Sequence, residues 1–485
     1  MIILGLFGCG FQSIVPETPK CTAQKVFFSP QLTNISEPRL WDDGFHNDGP
    51  SVAIFDLDRD GAAEIFQCFP GEETYIYTLA GKTKIFDRCG AMVVDDINRD
   101  GWDDLLRIDE DEDDENYVYV LENRGGSLHE VASFSVGSEE VRSLRIGDFN
   151  RDGRSDLLIT RSGFREDSND RDILAYGEDG WGFVLDENAL ERQQASRKAF
   201  DAMVIDIDQD GWQDIYVAND RGYDFGGNVA WFNEGGNFQA SSDCACNPVQ
   251  DAMGVDIADY NHDGVLDIVT SDAHRTHLYE GLGNGEFVDM TQVRGANGMD
   301  DWEMSWGIRF VDVNNDGFME IFSGQGDHTY EGNDMPEYEG DMGLSLQALQ
   351  DGVFVDVQDD YGFDQLGSFR SIVPFHWNGD GVLDYWITQA DKASVLMTSN
   401  GCSDGAWLFA QGASGVAIRF DVGEQKFYGE IQGASSYAAS VSPQVHFGLG
   451  DVSTVENVEI RYPGKDWTLL HEKLDVPVDL HIPHL

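Results

Sequence analysis

Apolar and polar positions alternate along most of the chain, and no segment sustains the period of an amphipathic helix, so the elements it predicts are short strands. Those strands come in a recurring order. Runs such as AMVVDDI, SLRIGDF, AMVIDI, GVDIADY and GIRFVDV lead into a turn-rich phrase, and DLLRI, DLLIT, DIYVA, DIVTS and EIFSG lead out of it. A glycine-centred hairpin usually follows, as in LYEGLGNGEFVDM, AWFNEGGNFQA and ILAYGEDGWGFVLD. Each unit thus supplies about four strands.

The turn-rich phrase reads D-x-[DN]-x-D-G-x-x-[DE]. It occurs seven times, at 56–64, 96–104, 148–156, 206–214, 259–267, 312–320 and 376–384, with starts 40, 52, 58, 53, 53 and 64 residues apart. Four-stranded units repeated at this spacing predict an all-β fold, a seven-bladed β-propeller whose radial closure protects its sheet edges, followed by a small β-rich C-terminal domain. The expected divisions are residues 1–24 for a signal-type N-terminus and linker, 25–402 for the propeller and 403–485 for the C-terminal domain.

The spacing within the phrase assigns it chemistry. Side-chain oxygens at positions 1, 3 and 5 converge when glycine at position 6 allows a sharp turn, and a carboxylate at position 9 can close the shell, an oxygen-only donor set suited to Ca²⁺. The candidate ligands are Asp56, Asp58, Asp60 and Glu64; Asp96, Asn98, Asp100 and Asp104; Asp148, Asn150, Asp152 and Asp156; Asp206, Asp208, Asp210 and Asp214; Asp259, Asn261, Asp263 and Asp267; and Asp312, Asn314, Asp316 and Glu320. In the seventh copy His376 replaces the leading Asp, leaving Asn378, Asp380 and Asp384, so six Ca²⁺ sites are expected and the seventh stays open. An EF-hand is excluded, because position 12 is never Glu and no helices flank the loops. The competing account is an Asx-turn hairpin, which turn propensity alone would favour. It does not call for a carboxylate at position 9, and crowding acids without a cation is costly.

Charge narrows the partners. With 89 acidic and 31 basic residues the formal charge is −58, which excludes a nucleic acid or an anionic membrane bound through a basic face. Adaptation to salt would add to the same acidity. The acidic run at 109–115 is read as a solvated loop. The opening MIILGLFGCG resembles the end of a lipoprotein signal ending at Cys9, although it lacks a basic start and places Phe7 where such signals carry a small residue. Lipoprotein export, plain secretion and an apolar cytosolic N-terminus all remain open, and a membrane is met only through an anchor at Cys9. Six cysteines remain, an even number that suggests disulfides in an exported chain. Cys68 with Cys89 and Cys21 with Cys402 are the expected pairs, with Cys244 and Cys246 paired locally or reduced. Zinc is disfavoured, since no CxxC pair is present.

These loops and their flanking strands resemble the FG-GAP and VCBS repeats of integrin-α-type propellers over about residues 40–400. The stretch from Ser403, above all QVHFGLGDVSTVENVEIRYPG at 444–464, resembles the ASPIC/UnbV module that follows such propellers in the cartilage acidic protein family and its bacterial relatives. The approach GASGVAIRF is shorter than that family's usual one. The resemblance implies an extracellular or surface protein, a calcium-stabilised scaffold and an interaction role without enzymatic activity.

The leading functional expectation is an exported adhesion or binding protein for an extracellular protein or glycan. Candidate recognition loops are 219–228, 295–306 with Trp302 and Trp306, and 327–343; packing is the competing role for the two Trp. A propeller polysaccharide hydrolase or lyase and a structural surface-layer component are the alternatives. The former finds no G-x-S-x-G, H-E-x-x-H or phosphate loop, and the His274 and His277 pair reads as a surface or turn feature. Finally, the seventh unit is one outer strand short, and the apolar stretch KVFFSPQL near the N-terminus has no unit of its own. Residues 26–29 are therefore expected to complete the seventh blade.

Overall fold

The computed structural model describes residues 26–31, 49–69, 73–78, 81–110, 115–162, 171–190, 198–241, 244–273, 275–297, 304–326, 342–390, 392–403, 405–434 and 436–484. Cys9, Cys21, His274, Trp302, most of the loop 327–343 and most of the acidic run 109–115 lie outside these residues. Among the described residues, helix is confined to two four-residue turns, Gly222–Phe225 and Gln358–Tyr361.

The remainder is an all-β propeller built from four-stranded antiparallel units. Seven such units occur among the described residues, each carrying one copy of the acidic phrase between its innermost and second strands. In the fourth, Lys198–Ile205, Asp214–Asp220, Val229–Asn233 and Phe238–Ala240 follow one another outward. Its two inner strands are buried at every residue, whereas outer strands such as Phe183–Asp186 are partly exposed. Inner strands are covered on both faces by neighbouring units, which is why they read as near-continuous apolar runs. Seven hydrophobic clusters fill the gaps between successive units, including the gap between the seventh and the first, where Val373, Phe375, Trp386 and Leu396 meet Val52, Ile54, Ile65 and Tyr77. An open stack of seven units would have only six such gaps, so the ring is closed. Each fully buried aliphatic or aromatic side chain contributes about 1.5–3 kcal/mol.

Closure uses the N-terminal strand. Phe28–Gln31 pairs antiparallel with Val395–Ser399 as the outer strand of the seventh unit, two residues further along than 26–29. Phe28 is fully buried, stacked on Phe363 at 4.8 Å and edge-on to Tyr385 at 5.3 Å. Cys68 pairs with Cys89 and Cys244 with Cys246. Cys402 is disulfide-bonded, and its expected partner Cys21 lies outside the described residues.

The C-terminal residues form two sheets around their own core, which includes Leu408, Ile418, Phe447, Val458 and Leu480. They are also joined to the propeller. The long strand Ala439–Gly450 runs parallel to Ser51–Phe55, with Ala439 opposite Val52 and Val441 opposite Ile54, so one sheet is continuous from the first blade into this domain. The turn before that strand fills the axis of the ring. Tyr437 stacks on Phe200 at 5.8 Å and meets Trp306 edge-on at 5.7 Å, its carbonyl accepts the Ser371 hydroxyl, and the Ala438 carbonyl accepts the Val52 amide at 3.0 Å. Trp306 is therefore buried at the axis under Arg370, 3.9 Å from its ring, and is not a recognition residue. Nothing in the local sequence placed it there rather than between blades.

Candidate metal loops and the surfaces around them

Each loop is held by a repeated hydrogen-bond pattern. The position 5 amide donates to the position 3 side chain in all seven loops, at 2.8–3.2 Å, and the position 7 amide donates to the position 5 carboxylate at 2.7–2.9 Å. The position 6 glycine amide donates to the position 1 Asp in the first six loops at 2.8–3.1 Å. That glycine has φ between 84° and 94° in every loop, a conformation that side chains rarely adopt.

Position 9 does something that the spacing did not suggest. It opens the second strand of every blade, and its carboxylate accepts the position 2 amide in all seven loops, at 2.8–3.3 Å. In five of them the other oxygen accepts an amide from the third strand: Asn123, Gly177, Asn233, Gly281 and Ser399, at 2.8–2.9 Å. Position 9 is thus a staple of the blade, so hydrogen bonding alone accounts for a carboxylate there.

Carboxylates also converge as a cation site would require. Asp56, Asp58 and Glu64 in the first loop, and Asp206, Asp208 and Asp210 in the fourth, each bring three ligand oxygens within 4.8 Å of one another. One oxygen of Asp148 and one of Asp206 are buried without any hydrogen-bond partner. The described structure does not bring three acids together in this way in the other five loops; in all five Asn holds position 3, and the seventh also begins with His376. Burial, reinforced by neighbouring carboxylates, pushes these acids up: Glu64, Asp156, Asp206 and Asp384 to about 7, Asp96 and Asp148 to about 6, Asp104, Asp259 and Asp312 to about 8, and Asp267 to about 9. A cation among them would reverse that shift by favouring the charged form. His376 is pushed the other way by burial, down to about 4.

Position 4 is the residue class that sequence reasoning missed. It is left-handed in every loop, with φ of 60°, 61°, 57°, 61°, 57° and 61° at Arg59, Arg99, Arg151, Gln209, His262 and Asn315, and 67° at Gly379. The strain is retained because the side chain reaches the next loop. Gln209 donates to the Gly264 carbonyl at 2.9 Å, His262 to that of Gly317 at 2.5 Å and Asn315 to that of Gly381 at 2.9 Å. Arg59 lies 4.1 Å over Trp102 of the second loop, and Arg151 lies 3.6 Å over Trp212 of the fourth. The available signal was that position 4 is always Arg, Gln, His, Asn or Gly, and never apolar.

Strands alternate in direction, so all seven loops share one end of the ring, and the C-terminal domain lies over that end. Connections from second to third strands and from blade to blade emerge at the other end, where Tyr223, in the expected recognition loop 219–228, is 71% exposed. A cleft of about 540 Å³ at that end is lined by Gln325, Gln347, Asp356, Asp359, Asp364 and Gln365 among others. His277 is hydrogen-bonded to Asp272 at 3.1 Å.

Residues 96–159, 206–270 and 265–323 match the FG-GAP-like repeat family, and residues 410–478 match the ASPIC and UnbV domain. The chain carries FG-GAP-like repeats and an ASPIC and UnbV domain. Cartilage acidic protein 1 of Mus musculus is 25% identical over 458 residues, which are 85% of this chain and 61% of that protein. Integrin alpha-6 of Homo sapiens is 31% identical over 112 residues, 20% of this chain and 10% of that protein. The chain thus spans less than two thirds of either relative. Among solved structures, an Agrocybe aegerita lectin that recognises non-reducing terminal N-acetylglucosamine aligns with a TM-score of 0.41 and 16% identity, over 71% of this chain and 86% of that one.

The conspicuous phrases of the ASPIC and UnbV domain are those that touch the FG-GAP-like loops. In HFGLG, Gly448 approaches so closely that a Cβ there would lie 1.8 Å from the Asp312 carboxylate, and the Gly450 amide donates to the Asn315 carbonyl at 2.9 Å. In RYPG, Arg461 pairs with Asp206 and donates to the Gln209 carbonyl at 3.1 Å, while Gly464 packs on the Arg151 side chain. Ser442 donates to Asp103 at 2.5 Å, and Trp407 covers Gly381 of the seventh loop.

Proposed function

We propose that this protein is an exported, calcium-stabilised β-propeller that binds an extracellular protein or glycan through the face opposite its ASPIC and UnbV domain, without catalysing a reaction. The observation that carries the reading is the position of that domain. It covers the end bearing the acidic loops, which suits those loops to a structural ion and leaves the other end for a ligand. Calcium is supported by the oxygen-only donors, the unpartnered oxygens of Asp148 and Asp206 and the crowding of buried carboxylates. Export is supported by the paired cysteines and by the similarity to an integrin and a cartilage protein. The cleft of about 540 Å³, lined by amides and carboxylates, suits a ligand rich in hydroxyl or amino groups. A glycan and matrix-protein array, probed with calcium and again with EDTA, tests the reading. Saturable calcium-dependent binding that Tyr223→Ala or Asp359→Ala weakens is expected, and assembly into a lattice without any such ligand would overturn it in favour of a surface-layer component.

A further inference from the structure

The seventh loop departs from the acidic pattern at His376, and a second histidine stands against it. His446, from the HFGLG phrase of the ASPIC and UnbV domain, lies with its ring centroid 5.2 Å from that of His376, the two planes at 50°. The tautomer of His446 follows from its neighbour. Asn315 donates its amide nitrogen to the Gly381 carbonyl at 2.9 Å and to the Ser403 hydroxyl at 3.0 Å, which orients its oxygen toward His446. That oxygen lies 2.7 Å from Nε2 of His446, so Nε2 carries the proton and donates it. Nδ1 of His446 is then a bare lone pair, and it is buried with no donor to meet it. Nε2 of His376 is likewise buried without a hydrogen-bond partner. Buried polar atoms are rarely left so, and here two imidazole nitrogens from two domains are left unpartnered on neighbouring rings.

The separation fits one shared ion. Two imidazoles bound to a tetrahedral metal through bonds of about 2.0–2.1 Å hold their ring centroids about 5 Å apart. Asn315 supplies the outer hydrogen bond that orients a metal-binding imidazole through its other nitrogen. Asp380, which shares the loop with His376, accepts the Ser399 hydroxyl at 2.7 Å through one carboxylate oxygen and the Val382 amide at 2.9 Å through the other, so it would reach an ion only through a remaining lone pair.

We propose that His376 and His446 form a site for a borderline divalent transition metal of the zinc type, completed by water or the Asp380 carboxylate, which ties the seventh loop to the ASPIC and UnbV domain. Nitrogen donors select such a metal over Ca²⁺, and the six Asp-led loops offer only oxygen. Resting on the calcium reading above, the site would make the seventh loop a metal junction between the two domains, where the six Asp-led loops would hold hard cations.

The full chain, stripped of metal and then saturated with calcium, is titrated with Co²⁺ while its visible spectrum is recorded. One Co²⁺ per chain is expected, with the absorption of a nitrogen-bound ion, displaced by Zn²⁺ and unaffected by further Ca²⁺. His446→Gln and His376→Asp should each weaken Co²⁺ binding about tenfold or more, with folding monitored by circular dichroism. The absence of saturable Co²⁺ binding by the unmodified protein overturns the proposal without recourse to any variant. Binding that survives in either folded variant overturns it equally, since the ion then sits elsewhere.

Discussion

The fourth loop, 206–214, and the seventh, 376–384, share a backbone and differ in what they can hold. In both, position 9 staples the blade: Asp214 accepts the amides of Ile207 and Asn233, and Asp384 those of Trp377 and Ser399. In both, positions 3 and 5 accept the same turn amides. At position 1 they part. Asp206 leaves one oxygen unpartnered beside Asp208 and Asp210 and meets Arg461, whereas His376 leaves a nitrogen unpartnered and meets His446. The scaffold of the turn is therefore separable from its ligand chemistry, and a single substitution can change the second while the hydrogen bonds preserve the first.

Chelation should have the largest effect on this contrast. Calcium at about a hundredfold its Kd stabilises each occupied loop by about 2.7 kcal/mol, so EDTA should lower Tm more than any single substitution. Metal analysis then counts the calcium released, expected to equal the six Asp-led loops. An unchanged Tm together with an absence of calcium would break the comparison at its root.

Next come the staples. Asp214→Ala and Asp384→Ala each strand two backbone amides, at a cost of about 1–3 kcal/mol per buried group, and the two losses should be alike in calcium and in EDTA. Urea denaturation under both conditions checks this. A cost at Asp214 that disappears in EDTA would make position 9 a ligand before it is a staple. A smaller difference follows at the ligand positions: in calcium, Asp210→Ala should lose up to about 2–3 kcal/mol and one bound ion, and His376→Ala should lose less and release no calcium. The reverse order would mean that the seventh loop is an ordinary calcium loop.

The smallest effect is in pH dependence without metal. Burial raises Asp206 to about 7 from its usual 3.8, so the folded chain holds a proton that the unfolded chain has lost, and stability falls as pH rises between those values. His376 is lowered to about 4 from 6.5, so the unfolded chain binds the extra proton and stability rises with pH across that window. In EDTA, Asp206→Asn should lessen the fall and His376→Gln should lessen the rise, since other buried acids and His446, His481 and His484 shift in the same directions, and both changes are read in Tm measured from pH 4 to 8.

The repeated phrase made the blades legible because it couples a strand end, a turn and a strand start within nine residues. The missing outer strand could be read because an unpaired edge is costly wherever it occurs, and Phe28–Gln31 meets that need to within two residues. Position 9 was legible as a requirement but not in its role, since a carboxylate that binds an ion and one that binds two amides leave the same letter in the chain. Position 4 was visible only as a run of polar residues, because its partner lies on the next blade.

Local chemistry in the sequence determined the strands, the turns and the places where acids gather, since those depend on residues a few positions apart. Tertiary structure alone decided that Ala439–Gly450 extends the first blade, that Tyr437 fills the axis and that His446 stands over His376. These contacts join residues far apart in the chain, and their energy comes from surfaces that exist only once the ring has closed. No short-range pattern along the sequence can encode which of those surfaces will meet.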